Sequence, residues 1–328
     1  MTTSTTREFN LLNLLRNGSG GWISGAELSR QLGISRAAVW KQIEQLRQEG
    51  FRIEAQKSKG YRLLAMPEEL TEAALTMGQV LPIVGRRVIT LGKTDSTNLQ
   101  AATLGAEGEA EGTVVFADSQ SAGKGRRGRT WCSPPGTNLY LSLLLRPAIA
   151  PWDAPQLTFL SAVAAARALR NVSRLPITVK WPNDLLVNGR KVAGMLNEMQ
   201  AESEQVGWVV LGIGINVNMR REQFPEDLRY PATSLALEVG EDVSRLAIAR
   251  ELLAELDRAY AVYLRDGFAP IRSAWLELFP FVDRLVEISG AGETVSGRVT
   301  GVDGDGALLL VDDRGKELRI LSGDVRPL

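Results

Sequence analysis

The chain contains no histidine and a single cysteine, Cys132, among its 328 residues. Without histidine there is no serine–histidine triad, no histidine-ligated zinc and no imidazole general base. One cysteine closes no internal disulfide, which fits a reducing compartment and makes a cytoplasmic protein the expectation. No apolar run approaches the length of a bilayer-spanning helix, so no membrane partner is expected. The opening MTTSTTREFN lacks the apolar stretch of a signal peptide. Net charge is missing too, since 38 Lys/Arg balance 38 Asp/Glu. Chemistry must therefore run on lysine, arginine, carboxylates, amides and backbone N–H groups. Such a set suits a reaction whose main demand is holding negative charge. Apolar and charged fractions of 44% and 23% are those of an ordinary globular protein. The length allows two or three domains.

The charge that balances overall is unevenly spread. Residues 1–66 carry ten Lys/Arg against five Asp/Glu, a net of +5, which leaves −5 for the remainder. Leu11, Leu14 and Leu15 repeat at helical spacing, and the pattern stops at Asn17-Gly18. Ser24-Gly25-Ala26-Glu27 reads as a capping box opening a second, short helix that ends near Gly33. Ser35 caps a third helix, with Val39, Ile43 and Leu46 on one face and Gly50 ending it. This helix turns Arg36, Trp40, Lys41 and Gln45 away from its apolar stripe. Arginine and glutamine suit base edges, and lysine suits phosphate. Alternation at Phe51/Ile53 and at Tyr61/Leu63 frames a basic hairpin turn holding Lys57 and Lys59. Three helices and a basic wing read as a winged helix-turn-helix that binds DNA. A small protein-binding module with a solvated basic face is the competing reading. Met66-Pro67-Glu68-Glu69 is a plausible linker start.

Beyond the linker the pattern predicts strands at 87–91, 113–117, 138–145, 185–187, 192–199 and 206–215, with helices at 157–169 and 244–263. Asn188-Gly189 is a strong hairpin signal. A mixed, largely antiparallel sheet with helices packed on it follows. The small polar residues of 94–98 predict a capped helix start, whose free N–H groups suit a small polar ligand; taken alone it is simply an N-cap. Gly212 and Gly214 would let a ligand lie against their strand.

The stretch SAGKGRRGRTW, residues 121–131, sets Lys124, Arg126, Arg127 and Arg129 among three glycines. Its N–H groups could converge on an oxyanion while its cations supply charge. It is a poor phosphate-binding P-loop, because no Ser/Thr follows the lysine. Gly-Arg tracts also bind RNA, so the loop by itself reads equally as a nucleotide cleft or an RNA arm. Strands on both sides argue against a disordered arm.

Five segments occur in order: Asp95-Ser96-Thr97-Asn98, 123–131, Lys180-Trp181-Pro182-Asn183-Asp184, Arg190-Lys191-Val192-Ala193-Gly194 and Gly212-Ile213-Gly214-Ile215-Asn216. In this the chain resembles, over nearly its whole length, the bacterial bifunctional biotin protein ligase and biotin operon repressor family. The resemblance implies an α+β architecture in three parts. These are a winged helix-turn-helix at 1–66, a ligase domain of mixed β-sheet with packed helices at 67–275, and a small SH3-like β-barrel at 276–328. The short strands of the last part are broken by Gly290, Gly292, Gly304-Asp305-Gly306 and Arg314-Gly315. It also implies that biotin and ATP are joined as biotinyl-adenylate, with magnesium on the phosphates, before biotin passes to a lysine of the biotin carboxyl carrier protein. Operator DNA of biotin synthesis genes and an adenylate-bound homodimer are the other implied partners. A non-catalytic, biotin-sensing transcription factor is the alternative.

Residue by residue, the resemblance points Ser96, Thr97, Asn98 and Gln120 at the ureido ring of biotin. Lys124, Gly125 and Arg126 fall on ligand-binding loop positions, and Gly212 and Gly214 on the biotin channel. Lys191 corresponds to the lysine that holds the biotin carboxylate and bridges to phosphate. Gly123, Arg127, Arg129, Lys180, Asn183 and Asn216 are carried over to the nucleotide. Lys191, Arg126 and Asp184 are the implied catalytic groups, and Asn183 and Asp184 are also the candidates for metal positioning or for the acceptor lysine. Residues 219–233, with Phe224 and Tyr230, are expected to close over adenine. Trp131 is expected to anchor the loop's end in the core, and Cys132 to be a packed thiol. One departure stands out: the family often has arginine where this chain has Lys124.

Overall fold

A computed structural model describes residues 11–12, 14–15, 21–65, 67, 69–202, 204–228, 230–289 and 294–328. Asn17-Gly18, Met66, Glu68, Gly290 and Gly292 lie outside these. The chain divides into two compact units, 1–80 and 81–328.

In the first unit, the described part of the leucine helix buries Leu11, Leu12 and Leu15. Helix α1 (Gly25–Leu32) starts where the Ser24 hydroxyl accepts from the Glu27 amide at 3.1 Å, and it ends at Gly33 with φ +64°. The predicted box is only half formed. Glu27 turns its carboxylate to Arg30 and Gln31, because an exposed carboxylate gains more from a guanidinium one turn on than from a backbone amide. Helix α2 (Arg36–Gln48) is capped by Ser35, whose hydroxyl accepts from the Ala38 amide, and buries Val39, Ile43 and Leu46. Strands β1 (Arg52–Gln56) and β2 (Gly60–Ala65) form the wing, extended by an Ile23–Tyr61 bridge. Gly60 is required there: its φ is +102°, and a Cβ would stand 2.1 Å from the Ile23 carbonyl oxygen. The short helix α3 (Glu72–Thr76) belongs to this unit.

The second unit is built on a seven-stranded sheet in the order β3-β4-β5-β9-β8-β7-β6. The strands are β3 (Arg87–Leu91), β4 (Thr113–Ala117), β5 (Leu139–Leu145), β6 (Thr178–Lys180), β7 (Asp184–Val187), β8 (Arg190–Glu202) and β9 (Gln205–Ile215). Only the β3–β4 pair is parallel, and helix α4 (Thr97–Ala106) makes its crossover. The remaining neighbours are antiparallel, as the recurrent hairpin signals predict. Asn188 and Gly189, at φ +49° and +73°, make the tight β7–β8 turn. Strand β5 is buried along its whole length, which matches its near-continuous LYLSLLL run.

Helix α5 (Gln156–Ser173) is rich in alanine, which lets it pack closely on β8 and on α7 (Arg245–Asp266). Helices α6 (Leu235–Val239) and α8 (Phe268–Glu277) complete the helical set. An aromatic chain, Phe159–Trp275–Phe279–Phe281, steps from α5 through α8 to the last part of the fold with ring centroids 4.5–5.3 Å apart. That last part is an antiparallel sheet in the order β13-β12-β11-β10-β14. Its strands are β10 (Leu285–Ser289), β11 (Val295–Val302), β12 (Leu308–Val311), β13 (Glu317–Ile320) and β14 (Asp324–Pro327). It docks on the large sheet through specific bonds: the Trp181 indole donates to the Gly306 carbonyl at 3.0 Å, and Arg129 pairs with Asp324 at 2.6 Å. Among the described residues no helix is long and apolar enough to cross a membrane.

Candidate active site

Two rungs across the middle of the large sheet set the floor of a cavity of about 220 Å3. Ser142 (β5), Gly212 (β9) and Leu196 (β8) are in register, and two residues along so are Tyr140, Gly214 and Gly194. The glycines line the cavity and are also required by neighbouring side chains. A Cβ on Gly212 would stand 2.1 Å from Asn98 Oδ1, and one on Gly214 would stand 2.5 Å from the Trp131 ring. A Cβ on Gly194 would meet Lys191 Nζ at 3.0 Å and Trp131 at 3.1 Å. Thus the expected ligand-bearing glycines seat an asparagine and a tryptophan, which in turn line the cavity. Trp131 anchors the loop's end and also faces the cavity, its indole N–H buried without a protein acceptor.

One end of the cavity is a fixed polar network at the start of α4. The Ser96 side chain does not cap this helix. Capping falls to neighbours: Asp95 Oδ1 accepts from the Ser96 amide, the Thr94 hydroxyl and Gln100, while Gln120 Oε1 accepts from the Thr97 amide at 2.9 Å. The Ser96 amide bond, with help from Gln100, holds the Asp95 carboxyl below its usual value. Gln120 donates to Ser133, and Ser142 donates to Asn98 Oδ1 while its oxygen lies 2.8 Å from the Thr97 hydroxyl. Asn98 Nδ2 donates to Glu198 at 2.6 Å and to the Leu196 carbonyl. Thr97, Asn98 and Gln120 are therefore already bonded to protein, whereas the Ser96 hydroxyl, on a residue lining the cavity, makes no cap bond. A pocket wall with its rotamers locked in this way is preorganised for a polar ring.

The glycine-rich stretch is a small hairpin. The Trp131 amide donates to the Gly123 carbonyl at 2.8 Å and the Gly125 amide to the Arg129 carbonyl at 2.7 Å. Its tip takes Arg127 and Gly128 to positive φ, +58° and +72°. Gly123 sits at the base, where a Cβ would be 2.5 Å from the Trp131 carbonyl oxygen, and it does not line the cavity. Three of the four cations are tethered to different elements. Lys124 lies 3.7 Å from Glu198 of β8, Arg126 donates to Asn183 Oδ1 at 2.8 Å, and Arg129 pairs with Asp324 of β14. Arg127 is exposed and does not line the cavity. Burial lowers the pKa of the Arg126 guanidinium, with Asp324 and Asp184 pulling the other way.

Beside the hairpin, the turn after β6 and the β7–β8 hairpin bring Lys180, Asn183, Asp184 and Lys191 together. Lys191 Nζ is 2.5 Å from Asp184 Oδ1, and Lys180 Nζ is 3.6 Å from Oδ2. Lys180 is 5% exposed, donates to the Val325 carbonyl at 3.4 Å and lies over the Tyr230 ring at 4.0 Å. Burial lowers its pKa below the usual 10.5, Lys191 adds to this, and Asp184 and Asp324 oppose it. Asn183 accepts from Arg126 and donates to the Met195 carbonyl, so it sets that cation's position. Both oxygens of Asp184 face ammonium groups, and no cluster of three metal-ligating side chains occurs among the described residues. The donor set does not fit a resident metal.

Met219, Phe224, Leu228, Tyr230 and Ala232 roof the cavity from the segment after β9. That segment is pinned at its end, where the Lys191 amide donates to the Pro231 carbonyl and the Thr233 amide to the Lys191 carbonyl. Asn216 lines the cavity and donates to the Thr233 carbonyl at 3.1 Å. Cys132 also lines it, with burial raising the thiol pKa.

Comparison with known proteins gives this geometry its context. Residues 91–216 match the model of the biotin/lipoate A/B protein ligase family, 7–62 an HTH domain and 284–326 the biotin protein ligase C-terminal domain. The bifunctional ligase/repressor BirA of Bacillus subtilis is 38% identical over 322 residues, which is 98% of each chain. This chain belongs to the biotin protein ligase family. The Escherichia coli bifunctional ligase/repressor BirA is 37% identical over 94% of this chain and 93% of that one. Among solved structures, the biotin protein ligase from Aquifex aeolicus in complex with biotin and ATP superposes with a TM-score of 0.63 at 28% identity. It covers 74% of this chain and 99% of its own.

Within this family member, sequence reasoning missed Gly194, Trp131 as a cavity wall, and the β14 residues Asp324, Val325 and Arg326, which line the cavity. Gly194 stands in the Arg190–Gly194 motif and was legible there. Nothing local marks β14, since the fold brings it across from the far end of the chain. In the HTH unit, Arg36, Trp40, Lys41, Gln45, Lys57 and Lys59 are all exposed, with Trp40 at 57%. Ser35 is committed to capping α2, and Gln45 donates to Glu49 at 3.3 Å. Lys59 and Arg62 both lie over the Trp22 ring, which stiffens the wing.

Proposed function

We infer that this protein is a biotin protein ligase and a repressor. It joins biotin to ATP, giving biotinyl-adenylate and pyrophosphate, and passes biotin to a lysine of an acceptor protein. The supporting observation is the convergence of Arg126, Lys180 and Lys191 on one side of a cavity whose other end is a locked polar network. In the first step a biotin carboxylate oxygen forms a bond to the α-phosphorus of ATP, and the bond to pyrophosphate breaks. Two unit charges 4 Å apart repel by about 4 kcal/mol at intermediate dielectric. Cations fixed beforehand remove that penalty and stabilise charge gathering in the in-line transition state. Lys191 would hold the biotin carboxylate and bridge to phosphate, exchanging Asp184 for substrate oxygens. Lys180 and Arg126 would take the α-phosphate, with Asn183 orienting Arg126. Magnesium would enter with ATP as part of that substrate. Ser96 is the hydroxyl best placed for the ureido ring, and Tyr230 and Phe224 are positioned to cover adenine and exclude water from the anhydride.

In the second step the acceptor amine attacks the acyl carbon and AMP leaves. The acceptor we propose is the biotin carboxyl carrier protein. The same reading divides the chain at 66/67 and 275/276, places it in the cytoplasm, and has an adenylate-bound homodimer read operator DNA of biotin synthesis genes at paired half-sites. Biotin-dependent exchange of labelled pyrophosphate into ATP, followed by label transfer to purified carrier domain, tests it. Exchange and transfer are expected; no exchange leaves a non-catalytic sensor, and exchange without transfer removes the carrier protein as acceptor.

A further inference from the structure

Glu198 lines no part of the cavity, yet it touches two residues that do. It stands on β8 opposite Val210. Its Oε2 accepts from Asn98 Nδ2 at 2.6 Å, and its Oε1 lies 3.7 Å from Lys124 Nζ. A carboxylate can only accept, so Glu198, with the more distant Leu196 carbonyl at 3.4 Å, decides which way the Asn98 amide points. Oδ1 must then face Ser142, which donates to it at 2.6 Å, and Ser142 in turn contacts Thr97, the residue bonded to Gln120. The polarity of the polar wall is thereby referred back to this negative charge, the nearer of the two acceptors of Asn98 Nδ2. The other oxygen of that charge faces the hairpin that must settle over the ligand.

We propose that Glu198 is a positioning residue, a strut that sets the Asn98 amide of the pocket wall and tethers Lys124 of the cationic hairpin with the same carboxylate. Asn98, on this account, is a link in the wall and does not donate to the ligand. The loosely held lysine at 124 makes the tether weaker than a forked arginine would. Lys124 and Glu198 are 47% and 37% exposed, so the tether tunes closure without locking it.

The inference rests on the ligase reading, and its test separates the two. Release of preformed, labelled biotinyl-adenylate is chased from wild type, Glu198→Gln, Lys124→Gln and the double variant. Glutamine keeps an acceptor for Asn98 and removes only the charge. Either single change should speed release roughly two- to fivefold, and the double variant should release no faster than either. Trypsin cleavage at Arg126 and Arg127 of the unliganded protein should rise by a similar factor in Glu198→Gln. Glu198→Ala, which also frees Asn98, should raise the KM for biotin while Glu198→Gln leaves it near wild type. Wild-type release and cleavage in Glu198→Gln, or additive effects in the double variant, would overturn the proposal. A wild-type protein that forms no adenylate sinks the ligase reading instead, and the trypsin measurement then decides the strut by itself.

Discussion

Lys191 and Asp184 meet at 2.5 Å across the β7–β8 hairpin, and Lys180 approaches the other oxygen of the same carboxylate at 3.6 Å. One negative charge is thus shared between two ammonium groups, and the cluster keeps a surplus of positive charge for a ligand. Gly194 permits this, because any side chain there would press on Lys191 and on Trp131.

From that relationship, Lys191→Ala should lower pyrophosphate exchange by about a hundred- to a thousandfold, the loss typical of removing a preorganised donor to developing charge. The thermal midpoint should stay within a few degrees, since Lys191 is partly exposed. Exchange within threefold of wild type would remove the role given to this lysine.

Lys180 should make the reaction sensitive to alkali. Its pKa is depressed below 10.5, first by burial, so its charge is lost at a lower pH than that of a free lysine. The alkaline limb of kcat/KM, which reports the free enzyme, should therefore lie below 10.5. Lys180→Arg keeps its charge to much higher pH and should carry that limb upward, even where the plateau falls. Stability runs the opposite way. The unfolded chain holds this proton more tightly, so its contribution is unfavourable at neutral pH and fades as pH rises from the depressed value towards 10.5. An alkaline limb that is identical in both proteins would exclude Lys180 as its source.

The winged unit and the sheet were legible because their signals are local: caps, periodicity, Asn188-Gly189 at a hairpin. The site was legible as a set of motifs but not as contacts. Gly212 and Gly214 line the cavity, and they also accommodate Asn98 and Trp131, which lie far away in sequence and leave no local trace beside the glycines. Capping at 94–98 read as the work of its own small polar side chains; Asp95 takes part, but the task is shared with Gln120 from another element. Asp324 reaches Arg129 only through the docking of the last sheet.

Gly214→Ala tests the seating of Trp131. The added Cβ would lie 2.5 Å from the ring, so the indole must tilt into the cavity or the strand must shift. Overpacking of this kind costs about 1–3 kcal/mol. A lower melting temperature and a raised KM for biotin are both expected, because the displaced ring occupies ligand space. Trp131→Leu in the same background should recover part of the lost stability by removing the clash. If Gly214→Ala melts and binds as wild type does, the ring is not seated as described.

The wing offers a cleaner electrostatic test than the recognition helix. Lys57 is exposed at the hairpin turn, and no described residue pairs with it. Its removal should therefore cost phosphate contact without loss of structure. Lys57→Ala should weaken binding to operator and to unrelated duplex by about the same factor. It should also reduce the slope of log K against log salt by about one. Arg36 and Lys41 lie on α2, whose side chains reach into a groove in this kind of module. Substituting Arg36 should lower affinity for operator more than for unrelated DNA. Equal losses on both duplexes for Arg36→Ala would make α2 a backbone contact, and a salt slope unchanged by Lys57→Ala would take the wing off the DNA altogether.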